Sequence, residues 1–471
     1  MGSCIVLHCA ERREQREDQL CDQDARTASD FGWIQMTTLL AGATVTSLRL
    51  GATQLASIGA TILISRLLGP EGKGVYTVAM LIPSFAVTLG NFGIGTAVAY
   101  HLRRGEYPAI GLFTAGLALI SLASLVGMLL SSWVATHYFP SFLKELPLSY
   151  VIIAAGFIPA ELLRRYSEST LLGLQRILSF NLSALLSGVS FLVIVWAALE
   201  LLGAKVTYTV AARVLSSLLA SLIALSLVVR ATGGIRLQLR RQWIGAITSY
   251  GTRVYLGNVV TFLNYRIDIL LLGLLLDPVF VGYYSVAVAL AERIKTIGQA
   301  PGIVLFPRIA GEKSDSRRCE ITGCVARISL AVTIVAGMAL LPLSKVLVIG
   351  LFSKAYIPAL RPFRILLPGV IVVTHMRILT RDLAARGFPT VSGVVGIVGL
   401  AANVALNFVL IPRLQADGAA IASVVSYGSM WILTLSLYCR KTGSRLRQVL
   451  FMRGSDILVL KRSLMKLLNR R

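Results

Sequence analysis

Leu67-Leu68-Gly69-Pro70-Glu71-Gly72-Lys73-Gly74-Val75-Tyr76-Thr77-Val78-Ala79 reads almost like Leu275-Leu276-Asp277-Pro278-Val279-Phe280-Val281-Gly282-Tyr283-Tyr284-Ser285-Val286-Ala287, about 208 positions later. Leu-Leu, Pro, Gly, Tyr, Val and Ala fall in register, and Thr77 faces Ser285. Each copy joins two long apolar segments. A second pair, Leu225-Ser226-Leu227-Val228-Val229-Arg230-Ala231-Thr232-Gly233 and Leu435-Ser436-Leu437-Tyr438-Cys439-Arg440-Lys441-Thr442-Gly443, repeats at an offset of about 210. The chain therefore reads as a duplication.

Composition says what was duplicated. The 471 residues are 55% hydrophobic and only 14% charged, with mean hydropathy +0.74. A soluble domain is nearer about 25% charged. Apolar windows of roughly 20 residues follow one another from about residue 37 to 440. The expected class is an all-α polytopic membrane protein. The polar-apolar alternation of outer-membrane strands is absent. The net charge of +24 belongs to basic loops that set topology and meet anionic inner-leaflet lipid. No compact basic domain exists to bind nucleic acid. Six cysteines (Cys4, Cys9, Cys21, Cys319, Cys324, Cys439) and four scattered histidines give no zinc spacing, so neither metal nor cofactor is expected. There is no GxxxxGK[ST] loop and hence no built-in ATPase motor. Gly69–Gly74 only superficially resembles such a loop. No catalytic constellation is present, so an enzyme is not expected.

About twelve spans are predicted, at 38–65, 75–100, 109–137, 148–172, 178–202, 206–230, 246–276, 279–306, 323–351, 361–384, 390–411 and 418–439. Pro83, Pro159, Pro301, Pro342 and Pro368 fall inside them, where hinges or bends are expected. Even-numbered connections are basic, as at Arg103, Arg104, Arg176, Arg240, Arg241, Arg317, Arg318 and Arg386. Odd-numbered ones are poorer and include Arg66 and Lys73. The positive-inside rule then puts both termini in the cytoplasm. The expected organisation is a polar cytoplasmic tail at 1–36, or an over-extended gene start with Met36 as initiator. A six-helix lobe follows at 37–232, then a cytoplasmic linker at 233–245, amphipathic and helical around 235–242. A second six-helix lobe spans 246–440, and a basic amphipathic tail 441–471 lies on the inner leaflet. Six spans per repeat leave both lobes in the same orientation, with a cavity between them.

Ionisable groups inside the bilayer cost roughly 3 kcal/mol or more each and mark functional paths. Arg49 lies midway along the first span, and Arg253 in the corresponding seventh. If both face the cavity they form a pseudo-symmetric pair of cations, suited to phosphate oxygens. Snorkelling or an internal ion pair is the alternative. Arg266 and Asp268 lie in span seven; Glu292, Arg293 and Lys295 lie in span eight. Arg266 precedes Pro278 by about as many residues as Glu292 follows it, so the two are predicted to touch. That pair either locks the hairpin, or Glu292 or Asp268 takes up H⁺ or Na⁺. Arg164, Arg165 and Glu168 correspond roughly to Arg377, Arg381 and Asp382. They either line an inner mouth or snorkel to the interface.

Ser65-Arg66-Leu67-Leu68-Gly69-Pro70-Glu71-Gly72-Lys73-Gly74 resembles the first-loop signature of bacterial polysaccharide-biosynthesis flippases, the O-antigen-type lipid-linked oligosaccharide translocases. Their superfamily also holds the MATE drug exporters and the lipid II flippase. Tyr265-Arg266-Ile267-Asp268, Leu383-Ala384-Ala385-Arg386-Gly387 and Asn403–Pro412 followed by Gly418-Ala419-Ala420 add similarity, from about residue 40 onward. The resemblance implies an inner-membrane flippase with a V-shaped cationic cavity between two lobes. It would move an undecaprenyl-pyrophosphate-linked repeat unit by alternating access, for surface or exo-polysaccharide synthesis. The pyrophosphate would meet Arg49, Arg253 and Arg266, and a polysaccharide polymerase and glycosyltransferases would be partners. A cation-coupled MATE-type drug exporter is the alternative, although it favours acidic cavity residues. A non-transporting scaffold of a polysaccharide-synthesis complex is a third reading.

Overall fold

Gly69 shows how the chain folds. In the computed structural model it has φ 69° and ψ −178°, a break inside one long helical stretch. Only glycine takes up such a backbone without strain. The segment Leu48–Arg104 has 57 residues; as one rod it would be about 85 Å long, nearly three times the hydrocarbon core of about 30 Å. Ser57 and Thr61, before Gly69, line the same cavity as Thr77, Met80 and Ser84 after it. The chain therefore doubles back at Gly69, and Pro70 opens the returning arm, where its missing N–H costs nothing.

The structure describes residues 3–138, 148–234, 238–311, 314–388, 390–454 and 456. They form thirteen α-helices: α1 Ser3–Gly90, α2 Ile94–Arg104, α3 Ala109–Tyr138, α4 Leu148–Ala155, α5 Phe157–Gly173, α6 Ile177–Leu201, α7 Val206–Thr232, α8 Arg241–Leu275, α9 Pro278–Gly311, α10 Asp315–Phe352, α11 Leu360–Ala385, α12 Thr390–Thr442 and α13 Leu446–Leu450. A 3₁₀ turn, Lys354–Ala359, separates α10 from α11. No strand occurs among the described residues. Eight helical segments among them are long and apolar enough to cross a membrane. Helix α12 doubles back as α1 does, at Gln415 (φ 54°, ψ −130°). Its arms are antiparallel: Asn403 Nδ2 donates to Ser423 Oγ at 3.4 Å and Ser426 Oγ to the Gly399 carbonyl at 2.5 Å.

Helices α1–α7 form one lobe and α8–α12 the other. The first lobe's core, around Val87, Phe113, Tyr166, Leu171 and Val210, also takes in Trp243 and Ile247 from the start of α8. In the described part of the amphipathic linker helix expected at 235–242, residues 238–240 are coil and Arg241 and Gln242 already belong to α8, whose Trp243 packs in the first lobe's core. Of the expected amphipathic tail at 441–471, residues 455 and 457–471 lie outside the described residues. Its beginning, α13, buries Val449 against the second lobe. Span four breaks at Gly156 into α4 and α5, with Pro159 in the first turn of α5. The helices continue through Pro83, Pro342 and Pro368.

The two lobes meet at both ends of the bundle. At the end carrying Gly69 and Pro278 (the turn end), Gly74 lies against the Pro278 carbonyl and Gly282 against the Pro70 carbonyl. The two copies of the repeated motif thus clasp each other reciprocally. At the opposite, basic end, Gly93 and Gly251 abut backbone to backbone. Phe92 stacks on Tyr255 with centroids 4.9 Å apart, and Tyr100 on Tyr250 at 4.2 Å.

Candidate functional site

Between these two contacts lies a cavity of about 280 Å³. The first lobe contributes Ser57, Thr61 and Lys73 from both arms of α1; the second contributes Arg266 from α8 and Glu292 and Arg293 from α9. Three of these lining side chains are cations and one is a carboxylate. Arg266 Nη2 lies 3.5 Å from Glu292 Oε2, and Lys295 Nζ lies 3.6 Å from Glu292 Oε1. The contact between Arg266 and Glu292 is thus present. One carboxylate cannot neutralise both cations, and Arg293 spends its hydrogen bond on neutral Gln54 Oε1 across the lobe boundary.

The positive charge continues into the second lobe. Lys295 Nζ stands 4.4 Å from the centroid of the Tyr265 ring. Arg377 covers the same ring at 5.0 Å and donates from Nη2 to the Tyr265 hydroxyl at 2.7 Å. Arg377 and Arg381 line a neighbouring cavity of about 210 Å³ that has no carboxylate among its described lining residues. Arg381, Arg377, Lys295, Arg266, Arg293 and Lys73 therefore form a succession of cations from the second lobe into the space between the lobes.

Asp268 lies behind this row, only 3% exposed. Its carboxylate accepts from the Tyr284 hydroxyl at 2.5 Å, the Ser423 hydroxyl at 3.1 Å and the Ile269 N–H at 2.8 Å. Among the described residues it makes no ion pair within 4 Å. A void of about 20 Å³, roughly one water, joins Asp268 to Glu292 and Lys295.

The remaining sequence candidates go elsewhere. Arg49 is held in the first lobe over the Phe180 ring, 5.0 Å from its centroid. Arg253 is exposed on α8. Neither lines the cavity that holds Arg266. Arg164 binds Glu161 at 2.6 Å and Glu168 at 2.7 Å, and Arg165 binds Glu161 at 2.8 Å. This is a knot within α5, centred on a carboxylate that is 2% exposed and that the sequence reading did not single out. Its signal was the i,i+3 and i,i+4 spacing to the two arginines. Asp382 is turned away from Arg381 and meets Arg386 at 2.8 Å, Arg318 at 3.4 Å and the Tyr438 hydroxyl at 3.1 Å.

Lys73 was also missed. By sequence it falls in the connection between the spans 38–65 and 75–100. The connection is in fact a single non-helical residue, Gly69, so Lys73 already lies on the returning helix and points inward. The signal was Pro70, a common first residue of a helix.

Residues 63–360 match the family described as polysaccharide biosynthesis protein. Among solved structures, the fold is similar to that of the lipid II flippase MurJ in an inward closed conformation, with a TM-score of 0.72 and 13% identity over 84% of this chain and 87% of that one. It is also similar to an inward-facing multidrug resistance MATE family transporter of the MOP superfamily, with a TM-score of 0.58 and 15% identity over 84% of this chain and 98% of the other. At these identities the likeness is one of fold. A curated relative, an uncharacterized membrane protein of Methanocaldococcus jannaschii, is 27% identical over 199 residues. The match covers 41% of this chain and 39% of the relative's length. With its long apolar helices and a family match over more than half its length, the chain is a multi-pass membrane protein that belongs to the polysaccharide biosynthesis protein family and has the MurJ- and MATE-like fold.

Proposed function

We propose that this protein is a flippase for a polyprenyl-diphosphate-linked oligosaccharide, with undecaprenyl as the lipid, working in a bacterial inner membrane with both termini in the cytoplasm. The carrying observation is the cavity between the lobes, where Lys73, Arg266 and Arg293 face the single carboxylate of Glu292. A half-buried excess of cations within membrane-spanning helices calls for an anion, and a diphosphate offers several oxygens to the planar arginine forks. The glycan would cross in the water-filled space and the prenyl chain would stay in lipid.

The lobe contacts supply the mechanism. The Gly74–Pro278 and Gly93–Gly251 contacts join the lobes at either end, while Ser57 on the cavity wall stays exposed. Opening the basic end admits the headgroup from the cytoplasm; opening the turn end releases it. Asp268 and Glu292, joined by the small void, are the coupling groups, and H⁺ or Na⁺ is the ion. Arg377 and Arg381 form the inner approach. A polymerase and glycosyltransferases are the partners, and the basic tail meets anionic lipid. The MATE-type exporter of cationic compounds shares the fold, but the charge of this cavity opposes its substrates.

The test is complementation in a host lacking this gene. Arg266→Gln with Arg293→Gln, at normal expression, is expected to abolish surface polysaccharide, and Asp268→Asn to slow its appearance. Full polysaccharide from the double variant would sink the reading.

A further inference from the structure

Lys73 is a buried charge without a counter-charge among the described residues. It is 8% exposed, and among the described residues no carboxylate lies within ion-pair distance of it. Its ammonium stands 5.1 Å from the centroid of the Tyr76 ring. That contact supplies part of what water would have given it. Lys73 lines the cavity between the lobes together with Thr77 and Ser57 of the first lobe and Arg293 and Arg266 of the other. An ammonium has three donors. Carrying them into a bilayer-spanning helix with no acceptor would be costly.

Lys73 also directly precedes Gly74, whose backbone forms the turn-end contact with Pro278. From the same lobe, the Arg66 side chain donates to the Leu351 carbonyl at 2.8 Å, and the Ser65 carbonyl accepts from the Tyr356 hydroxyl at 3.1 Å. The lysine thus directly precedes the turn-end closure and, among the described lining residues, is the one cation that the first lobe supplies to the cavity.

We infer that Lys73 binds a phosphate or diphosphate group at the turn end of the cavity, opposite Arg293 and Arg266, so that the anion is held by both lobes at once. This inference rests on the flippase reading and deepens it: it names the first-lobe ligand. An anion bridging the lobes links occupancy to closure, because separating the lobes at the turn end parts Lys73 from the two arginines.

The experiment uses the full chain in lipid nanodiscs and native mass spectrometry. Three probes are applied separately: undecaprenyl diphosphate, the uncharged alcohol undecaprenol, and inorganic pyrophosphate. The variants are Lys73→Met, Lys73→Arg and Lys345→Met, the last removing an exposed cation of α10 away from the cavity. Lys73→Met is expected to weaken undecaprenyl diphosphate binding by about tenfold or more relative to Lys345→Met, the size of one lost charge-assisted hydrogen bond. Lys73→Arg is expected to keep most of it, and undecaprenol binding is expected not to change. Competition by inorganic pyrophosphate would identify the bare anion as sufficient; its failure to compete would identify the lipid headgroup. Equal diphosphate binding by Lys73→Met and Lys345→Met would overturn the inference, as would an equal loss of undecaprenol. Loss of diphosphate binding with normal surface polysaccharide would leave the Lys73 assignment standing and count against the flippase reading. Unchanged binding in Lys73→Met, with polysaccharide lost in the Arg266/Arg293 variant, would do the reverse. Folding of Lys73→Met is checked by its melting temperature, expected to equal or exceed wild type, since an unpaired buried charge is removed.

Discussion

Adding one methyl group at Gly74 should open the turn end. A Cβ there would stand 2.6 Å from the Pro278 carbonyl carbon; at Gly282 it would stand 2.8 Å from the Pro70 carbonyl carbon. Carbon atoms normally rest about 3.5–4.0 Å apart, so the lobes must part by about 1 Å. The atoms in the way are backbone, and no rotamer change relieves them. Overpacking of this kind costs about 1–3 kcal/mol. The cost falls only on states in which the turn end is closed. The ratio of open to closed should therefore rise about 5- to 150-fold in Gly74→Ala or Gly282→Ala. The two residues share one contact, so the double variant should gain less than the sum. The assay is the rate at which a membrane-impermeant maleimide labels Ser285→Cys, which lines the cavity, in a background with the native cysteines replaced by serine. Labelling at least about fivefold faster is expected in either glycine variant. Gly350→Ala, where a methyl meets nothing within 4 Å, should not change it. An unchanged rate in both variants, with native elution and melting, would refute the closure argument. So would equal acceleration in Gly350→Ala.

Two further perturbations probe the framework. Arg327 clamps Asp456 through two bonds of 2.7 Å, both side chains almost fully buried, and so fastens the chain beyond α13 to α10. Asp456→Ala should cost about 3–5 kcal/mol by stranding the arginine, read as a lower melting temperature. The same pair sets a pH dependence. Burial pushes the Asp456 carboxyl up, but hydrogen bonds from Arg327 and the Arg453 N–H outweigh it and hold it below the ordinary carboxylate range. Its contribution is complete above that range and lost as pH falls through the lowered value. Wild type should therefore lose more melting temperature in acid than Asp456→Ala does. In α5, Glu161→Gln should destabilise by a similar few kcal/mol, since it leaves Arg164 and Arg165 underpaired. Material that still folds should bind polyprenyl diphosphate as wild type does.

Depth was legible in the sequence, whereas direction around a helix was not. Counting residues from Pro278 placed Arg266 level with Glu292, and the two side chains do approach, because rise per residue is nearly constant in a helix. Counting from Pro70 and Pro278 also made Arg49 and Arg253 counterparts in depth. It could not show that Arg49 turns onto Phe180 or that Arg253 stays off the cavity that holds Arg266. Rotation about a helix axis is decided by what packs on it, and long apolar spans have little amphipathic pattern to reveal that. The same limit hid the turn of Asp382 toward Arg318 and Arg386. The repeated Pro–Gly turns announced duplication. That the two copies touch is a tertiary fact, intelligible afterwards because only glycine allows backbones so close.

The central claim is that the cavity carries an anionic headgroup. Its most direct measurement is flipping in proteoliposomes, with a fluorescent oligosaccharide attached to undecaprenol either through a diphosphate or through an uncharged ether. The diphosphate form is expected to cross with wild-type protein and the ether form to stay, and Arg266→Gln with Arg293→Gln is expected to abolish the difference. Equal movement of both forms, or undiminished diphosphate flipping by the double variant, would contradict it.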